Sequence, residues 1–314
     1  MNIKKVGLTA LAGSLVATSA FAGEMSVAGS ASINVEHTNG GHGIAGKTFS
    51  MGNQLTFSGS GELDNGLNVS LSFILDQGDD TAIATAPFDS HSVTVSSDSF
   101  GSLKFSGEGG SSSTSALDTT AAGDLWDNYD DETGLEPTGV GTGDNMMMYT
   151  LPSLMDDLSV NVSYKPKGAA ATDSAVGYGA TYSGVEGLSV SFATGDDTSV
   201  GNTGDGTVMK ASYAIGSATI AYSNYEYDTT GTSSDDDVTA YKLTYTVSDE
   251  LSVSYASEEV ETGTLSAEYE QVSASYTAGG MTLTASMGDA TDIDGTTTDT
   301  EDRERWAIGA SFAF

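Results

Sequence analysis

Carboxylates are the main chemistry-bearing residues of this chain. Their densest set lies in "GEGGSSSTSALDTTAAGDLWDNYDDETGLEPTGVGTGD", Gly107 to Asp144. This stretch carries Glu108, Asp118, Asp124, Asp127, Asp130 and Asp131, followed by Glu132, Glu136 and Asp144, and contains no Lys, Arg or His. Carboxylates without a paired base or nucleophile do not form an acid–base machine. Gathered in a confined space, they attract cations and repel anions. His37, His42 and His91 stand alone in or beside expected loops, without a companion at metal-ligand spacing. "DATDIDGTTTDTE" puts Asp292, Asp294, Gly295 and Glu301 at the third, fifth, sixth and twelfth places of a calcium loop. However, Ala290 holds the first place and no helix flanks the segment, so an EF-hand is not formed. Clustered loop carboxylates still leave room for a loosely held structural Ca2+ or Mg2+. No organic cofactor is implied, and no catalytic constellation or phosphate-cradling glycine loop occurs. The chain reads as a non-enzyme.

Bulk composition narrows the class. With 44 Asp+Glu against 10 Lys+Arg, the formal net charge is −34, which excludes nucleic acid as a partner. There are no cysteines, and hence no disulfides or thiol chemistry. Residues 1–22 have a secretory leader's features: Lys4 and Lys5, the apolar "VGLTALAGSLVA", and the small-x-small "AFA" that ends at Ala22. Export with cleavage before Gly23 is therefore expected. Beyond the leader, no apolar run approaches the length of a membrane helix.

What positions the carboxylates is a long series of strands. Period-two alternation runs the length of the chain, in about 16 segments. In "LSVNVSY", Leu158, Val160, Val162 and Tyr164 share one face, and Ser159, Asn161 and Ser163 share the other. The polar face is small and uncharged, and the strands are too many for one open sheet. An antiparallel up-and-down transmembrane β-barrel, with its apolar side toward lipid, resolves this because every backbone group is then paired and no edge remains. Tyr164, Tyr182, Tyr213, Tyr222, Tyr245, Tyr255 and Tyr276 end apolar stripes, as residues at a membrane–water interface do. Connections alternate between short ("SGVEG", "IGS", "AGG") and long ("HTNGGHGIAG", "DTTGTSSDDD"), and most of the acids sit in or beside the long ones. The acidic charge thus gathers on one end of the barrel. In "LSAEYEQVSASYTA" the apolar parity changes between Tyr269 and Val272, which calls for a bulge near Gln271 or a later strand start.

Barrels of this size enclose an aqueous channel. The third long connection, residues 107–144, is expected to fold inward, with Leu117, Leu125, Trp126 and Tyr129 as anchors. Lys104, Lys210, Lys242, Arg303 and Arg305 have lumen parity and are expected on the facing wall.

"ELDNGLNVSLSF" (Glu62 to Phe73), "SFGSLKFSGE" (Ser99 to Glu108) and the terminal "RWAIGASFAF" resemble the Gram-negative general porins, most closely the alphaproteobacterial, Rhodobacter-type branch. The resemblance covers the whole chain. It implies a homotrimer in the cell outer membrane, in contact with lipid and lipopolysaccharide, with the third loop as a filter for small hydrophilic solutes and cations. It also implies that Phe314 is the terminal aromatic read by the barrel-assembly machinery. Two departures stand out. Glu108 replaces the family's common arginine after the pre-loop glycine, and inward positions of the first strands are neutral: Ser26, Ser30, Ser32, Asn34, Ser50, Gln54, Ser70 and Ser72. Acids opposite a neutral wall point to cation selectivity. The rival reading is an adhesin or receptor barrel whose acidic surface loops bind a ligand.

Overall fold

The computed structural model describes residues 23–39, 46–76, 89–129, 143–168, 173–196, 204–229, 235–293 and 302–314. Strands β1 to β8 are Met25–Asn39, Gly46–Glu62, Asn68–Asp76, Ser90–Ser97, Gly101–Glu108, Met146–Thr150, Leu158–Lys165 and Ala175–Val185. Strands β9 to β16 are Leu188–Asp196, Gly204–Ile215, Ala218–Thr229, Asp236–Thr246, Leu251–Thr262, Leu265–Ala278, Met281–Thr291 and Arg303–Ala313. Each pairs antiparallel with its sequence neighbours, and β16 pairs with β1 to close the barrel. Closure leaves no edge strand, so the backbone ladder is complete where it crosses hydrocarbon.

The seam runs in unbroken register from Ser30↔Ala313 to Asn39↔Glu304. Its last pair involves the terminal residue. The Phe314 N–H donates to the Gly29 carbonyl at 2.9 Å, and the Gly29 N–H donates to the Phe314 carbonyl at 2.7 Å. A Cβ at Gly29 would collide with the Phe314 ring, so glycine is what allows the aromatic to lie across the seam.

Alternation sets the two faces. Ile220, Tyr241, Leu243, Tyr245, Val272 and Ile308 are exposed on the outside, and their strand neighbours face the lumen. Cross-strand aromatic pairs reinforce the outer face. Phe57 stacks on Phe73 at 4.8 Å, and Tyr222 meets Tyr241 at 5.2 Å. One half of the inner face is also apolar. Val208, Tyr225, Val238, Val260, Tyr269 and Ile293 are all nearly sealed from solvent there, packed in a single cluster.

Two expectations need correction. No bulge interrupts β14, because its pairing with β13 is continuous from Leu265↔Thr262 to Tyr276↔Leu251. The parity change is a change of face: Tyr269 is buried inside the barrel, while Val272 and Tyr276 are exposed outside. Register shifts occur instead between His91 and Ser92 and between Tyr182 and Val185. Strand β13 runs to Thr262, so only residues 263–264 join it to β14, on the side where a long connection is expected. The alternation of long and short connections is broken at that point. Glu258, within this longer strand, has lumen parity and is buried.

The face assignment is testable at Leu243, which lies between Tyr241 and Tyr245 and is 47% exposed. Leu243→Arg should cost about 1–3 kcal/mol in a bilayer, between the penalties for a cation at the midplane and near the interface of a barrel's lipid face. The lumen-side neighbour change Thr244→Asn should cost far less. Urea unfolding in liposomes measures both.

Candidate functional site

The connection between β5 and β6 forms the site. Its stem is held by a two-way backbone pair: Gly110 N–H to the Gly143 carbonyl at 2.9 Å and Gly143 N–H to the Gly110 carbonyl at 3.0 Å. Beyond the stem, Ser112 and Ser115 tie a turn through each other's hydroxyls, with N–H donations of 2.7 and 3.0 Å. From this point the chain follows the inner wall. The Ser113 N–H donates to Ser163 Oγ on β7 at 3.0 Å. Lys210 Nζ on β10 donates to the Thr119 carbonyl at 2.5 Å, and the Ala121 N–H donates to Ser223 Oγ on β11 at 2.7 Å. Lys242 Nζ on β12 reaches the Ala122 carbonyl at 3.5 Å. At the end of the described segment, a 3₁₀ turn over Trp126–Tyr129 sets the Tyr129 ring 5.7 Å from Tyr269 on β14.

The contacts follow strand order, so residues 112–129 line the wall from β7 to β14. Apolar burial holds the segment against the wall, with Leu117, Ala121, Leu125, Trp126 and Tyr129 packed on the inner cluster. The anchors expected from the sequence are therefore in place.

A tight turn organises the middle. The Thr120 N–H donates to Asp124 Oδ1 at 2.7 Å, and the Asp124 N–H donates back to Thr120 Oγ1 at 2.9 Å. Gly123 and Asp124 both have left-handed backbone, at φ 95° and 52°, a region that glycine and aspartate tolerate best. The turn faces Glu258 of β13. The Thr120 hydroxyl donates to Glu258 Oε2 at 2.5 Å, and the Trp126 N–H donates to Oε1 at 3.1 Å.

The expected site residues divide accordingly. Asp127 is exposed at the start of the 3₁₀ turn. Asp118 is half-buried and accepts the Thr119 N–H at 2.8 Å. Desolvation raises its pKa, as does nearby Asp124, while the Thr119 N–H and Lys210 pull it down. Burial likewise pushes the Tyr129 phenol up to about 12, with Arg305 acting to lower it and Asp289 to raise it. Asp124 is a turn residue. Glu108 ends β5 with an oxygen 3.7 Å from His91 Nδ1. Asp130 and Asp131 lie outside the described residues, as do His42, Asp294 and Glu301.

Among the cations, Lys104 is exposed on the β5 wall, and Lys210 and Lys242 stand behind the loop, bonded to its carbonyls. Arg305 forms an ion pair with Glu36 across the seam, and Arg303 is buried. Among the described residues, no group of three or more His, Asp or Glu side chains is placed to hold a metal ion. Sequence reading missed Glu258, Ser163, Ser223 and Tyr269. In the sequence, Ser163 reads as lumen-facing and Tyr269 as part of an apolar face shifted by a bulge, and nothing marks any of the four as a point where the loop lands.

A family model described as Gram-negative porin matches residues 7–270. The chain belongs to the Gram-negative porin family. Its fold is similar to an anion-selective porin from Comamonas acidovorans, with TM-score 0.68 and 16% identity over 93% of this chain and 99% of that one. A loop-deletion mutant of OmpT, an outer membrane protein of Vibrio cholerae, has TM-score 0.68 and 18% identity over 93% and 99%. A mutant of the Rhodobacter blastica porin has TM-score 0.67 and 15% identity over 93% and 100%. These likenesses are nearly equal, so they support the fold without singling out the Rhodobacter-type branch. No curated protein sequence matches the chain. The porin fold and the hollow barrel describe a channel in the Gram-negative outer membrane.

The raised pKa of Asp118 gives this porin a pH signature. A carboxyl whose pKa is higher when the loop is docked favours docking while it is protonated. That contribution is complete below its ordinary 3.8 and is lost as pH rises through the raised value. Asp118→Asn should remove this pH dependence. Hydrogen exchange of amides 116–127, compared with the parent at matched pH, checks it.

Proposed function

We propose that this porin is a passive, cation-selective diffusion channel for small hydrophilic solutes and ions. The observation that carries the reading is the arrangement of charge around the inward loop. Lys210 and Lys242 donate to loop carbonyls, while Asp127 on the same segment is exposed. Across the passage, the strands contribute Ser30, Ser32, Asn34, Ser50, Gln54, Ser70 and Ser72, which are uncharged. A carboxylate facing a neutral hydroxyl wall lowers the energy of a cation in the passage and raises that of an anion. Solutes cross down their gradients, sorted by size between loop and wall. Lys104 opposes the cation preference, and Glu108 beside His91 supports it.

The same reading includes export by cleavage of residues 1–22, a homotrimer in contact with lipopolysaccharide, and recognition of Phe314 by the assembly machinery. Pairing of Phe314 with Gly29 supports the last point, since the terminal aromatic sits on the seam that closes last in sequence. The match of "SFGSLKFSGE" supports a Rhodobacter-type origin. A loosely held Ca2+ or Mg2+ among the acidic connections fits the excess of carboxylates.

Selectivity is measured by the reversal potential of a planar bilayer in a KCl gradient. A cation-sign potential is expected, and an anion-sign potential would overturn the reading. Asp127→Asn should lower the cation preference about twofold, the effect of a unit charge roughly 8 Å from the ion in water.

A further inference from the structure

We infer that Glu258 is the positioning residue that sets the width of the constriction, the wall-side anion around which the loop turn folds. Resting on the channel reading above, this assigns its geometry to one side chain. Glu258 is 1% exposed, in the middle of a strand whose other lumen-facing residues are neutral: Ser252, Ser254, Ala256, Val260 and Thr262. A buried carboxylate without strong partners is costly, so its hydrogen bonds show what holds it. All of those identified come from the loop. The Thr120 hydroxyl takes one oxygen and the Trp126 N–H takes the other.

The loop is shaped for this anion. Left-handed backbone at Gly123 and Asp124 reverses the chain, and the Trp126 N–H that follows meets the carboxylate. The reciprocal Thr120–Asp124 bonds fix that turn, and Thr120 Oγ1 accepts from the turn while its proton goes to Glu258. Charge-assisted bonds of this kind are roughly twice as strong as neutral ones. The ties at Ser223, Lys210 and Lys242 each engage a single loop N–H or C=O, and Ser163 engages Ser113 alone. Glu258 takes two donors, Thr120 and Trp126, one from each side of the turn at Gly123 and Asp124. Apolar burial brings the segment to the wall, and Glu258 fixes its height and how far it projects.

The test uses the full barrel reconstituted in bilayers, in a Trp306→Phe background. The chain has 2 Trp, so Trp126 becomes the sole fluorescent reporter. Glu258→Ala should raise single-channel conductance, introduce brief closures, shift Trp126 emission to longer wavelength and increase its quenching by acrylamide. Glu258→Gln, which keeps one acceptor oxygen, should fall between parent and Ala variant. Thr120→Val removes a donor from the loop and leaves the wall intact, so it should change conductance in the same direction, and it decides the matter if Glu258→Ala does not assemble. Parent-like conductance and quenching in a folded Glu258→Ala barrel, or in Thr120→Val where the Ala variant does not assemble, would overturn the assignment. A parent barrel that conducts no current would overturn the channel reading instead, and Trp126 quenching would still report on Glu258.

Discussion

Everything in this structure follows from the intolerance of hydrocarbon for unpaired backbone N–H and C=O groups. A strand of alternating apolar and polar residues can face lipid on one side only if both of its edges are paired. Sixteen such strands satisfy the condition by closing β16 onto β1, where the ladder extends to the terminal Phe314 and its partner Gly29. Closure has a second consequence. A ring of this many strands is too wide for its own side chains to fill, so the interior holds water and whatever chain enters it.

The inward loop enters because one half of the inner wall prepares a place for it. Alternation with Ser and Thr inside would leave a uniformly polar lumen. In β10 to β15 the upper inward positions are Val208, Tyr225, Val238, Val260, Tyr269 and Ala290, which form an apolar landing strip. Leu125 and Trp126 cover it, removing apolar area from water at roughly 25 cal/mol per Å². Polar groups then define the position. Two lysines meet loop carbonyls and one glutamate meets a loop N–H, so each sign of wall charge finds the matching end of a peptide dipole. The cost of burying these charges is met locally, while Asp127 on the same segment stays exposed.

The candidate site was half legible before the fold was known. Parity placed Lys104, Lys210, Lys242, Arg303 and Arg305 on the lumen side. The apolar residues Leu117, Leu125, Trp126 and Tyr129 marked the loop as one that docks. The direction of docking was not legible. The two lysines were expected across the passage from the acids, and they stand behind the loop instead. Asp124 was grouped with the constriction acids, although its carboxylate closes a turn on Thr120. Glu258 was missed because nothing near it marks it as a landing point until a loop from the opposite end of the sequence covers it.

The sequence by itself determined the barrel, its two faces and the loop that turns inward. All of these depend on side-chain period, turn residues and the pairing demands of a backbone in lipid, which act between near neighbours. Only the tertiary structure decided which wall receives the loop, which carboxylates face water and which one holds the turn. Thr120 and Glu258 are 138 positions apart, and Ala121 and Ser223 are 102 apart. Pairs that distant carry no periodic signal. They become neighbours only when the closed ring brings the wall of the second half of the chain around the loop of the first.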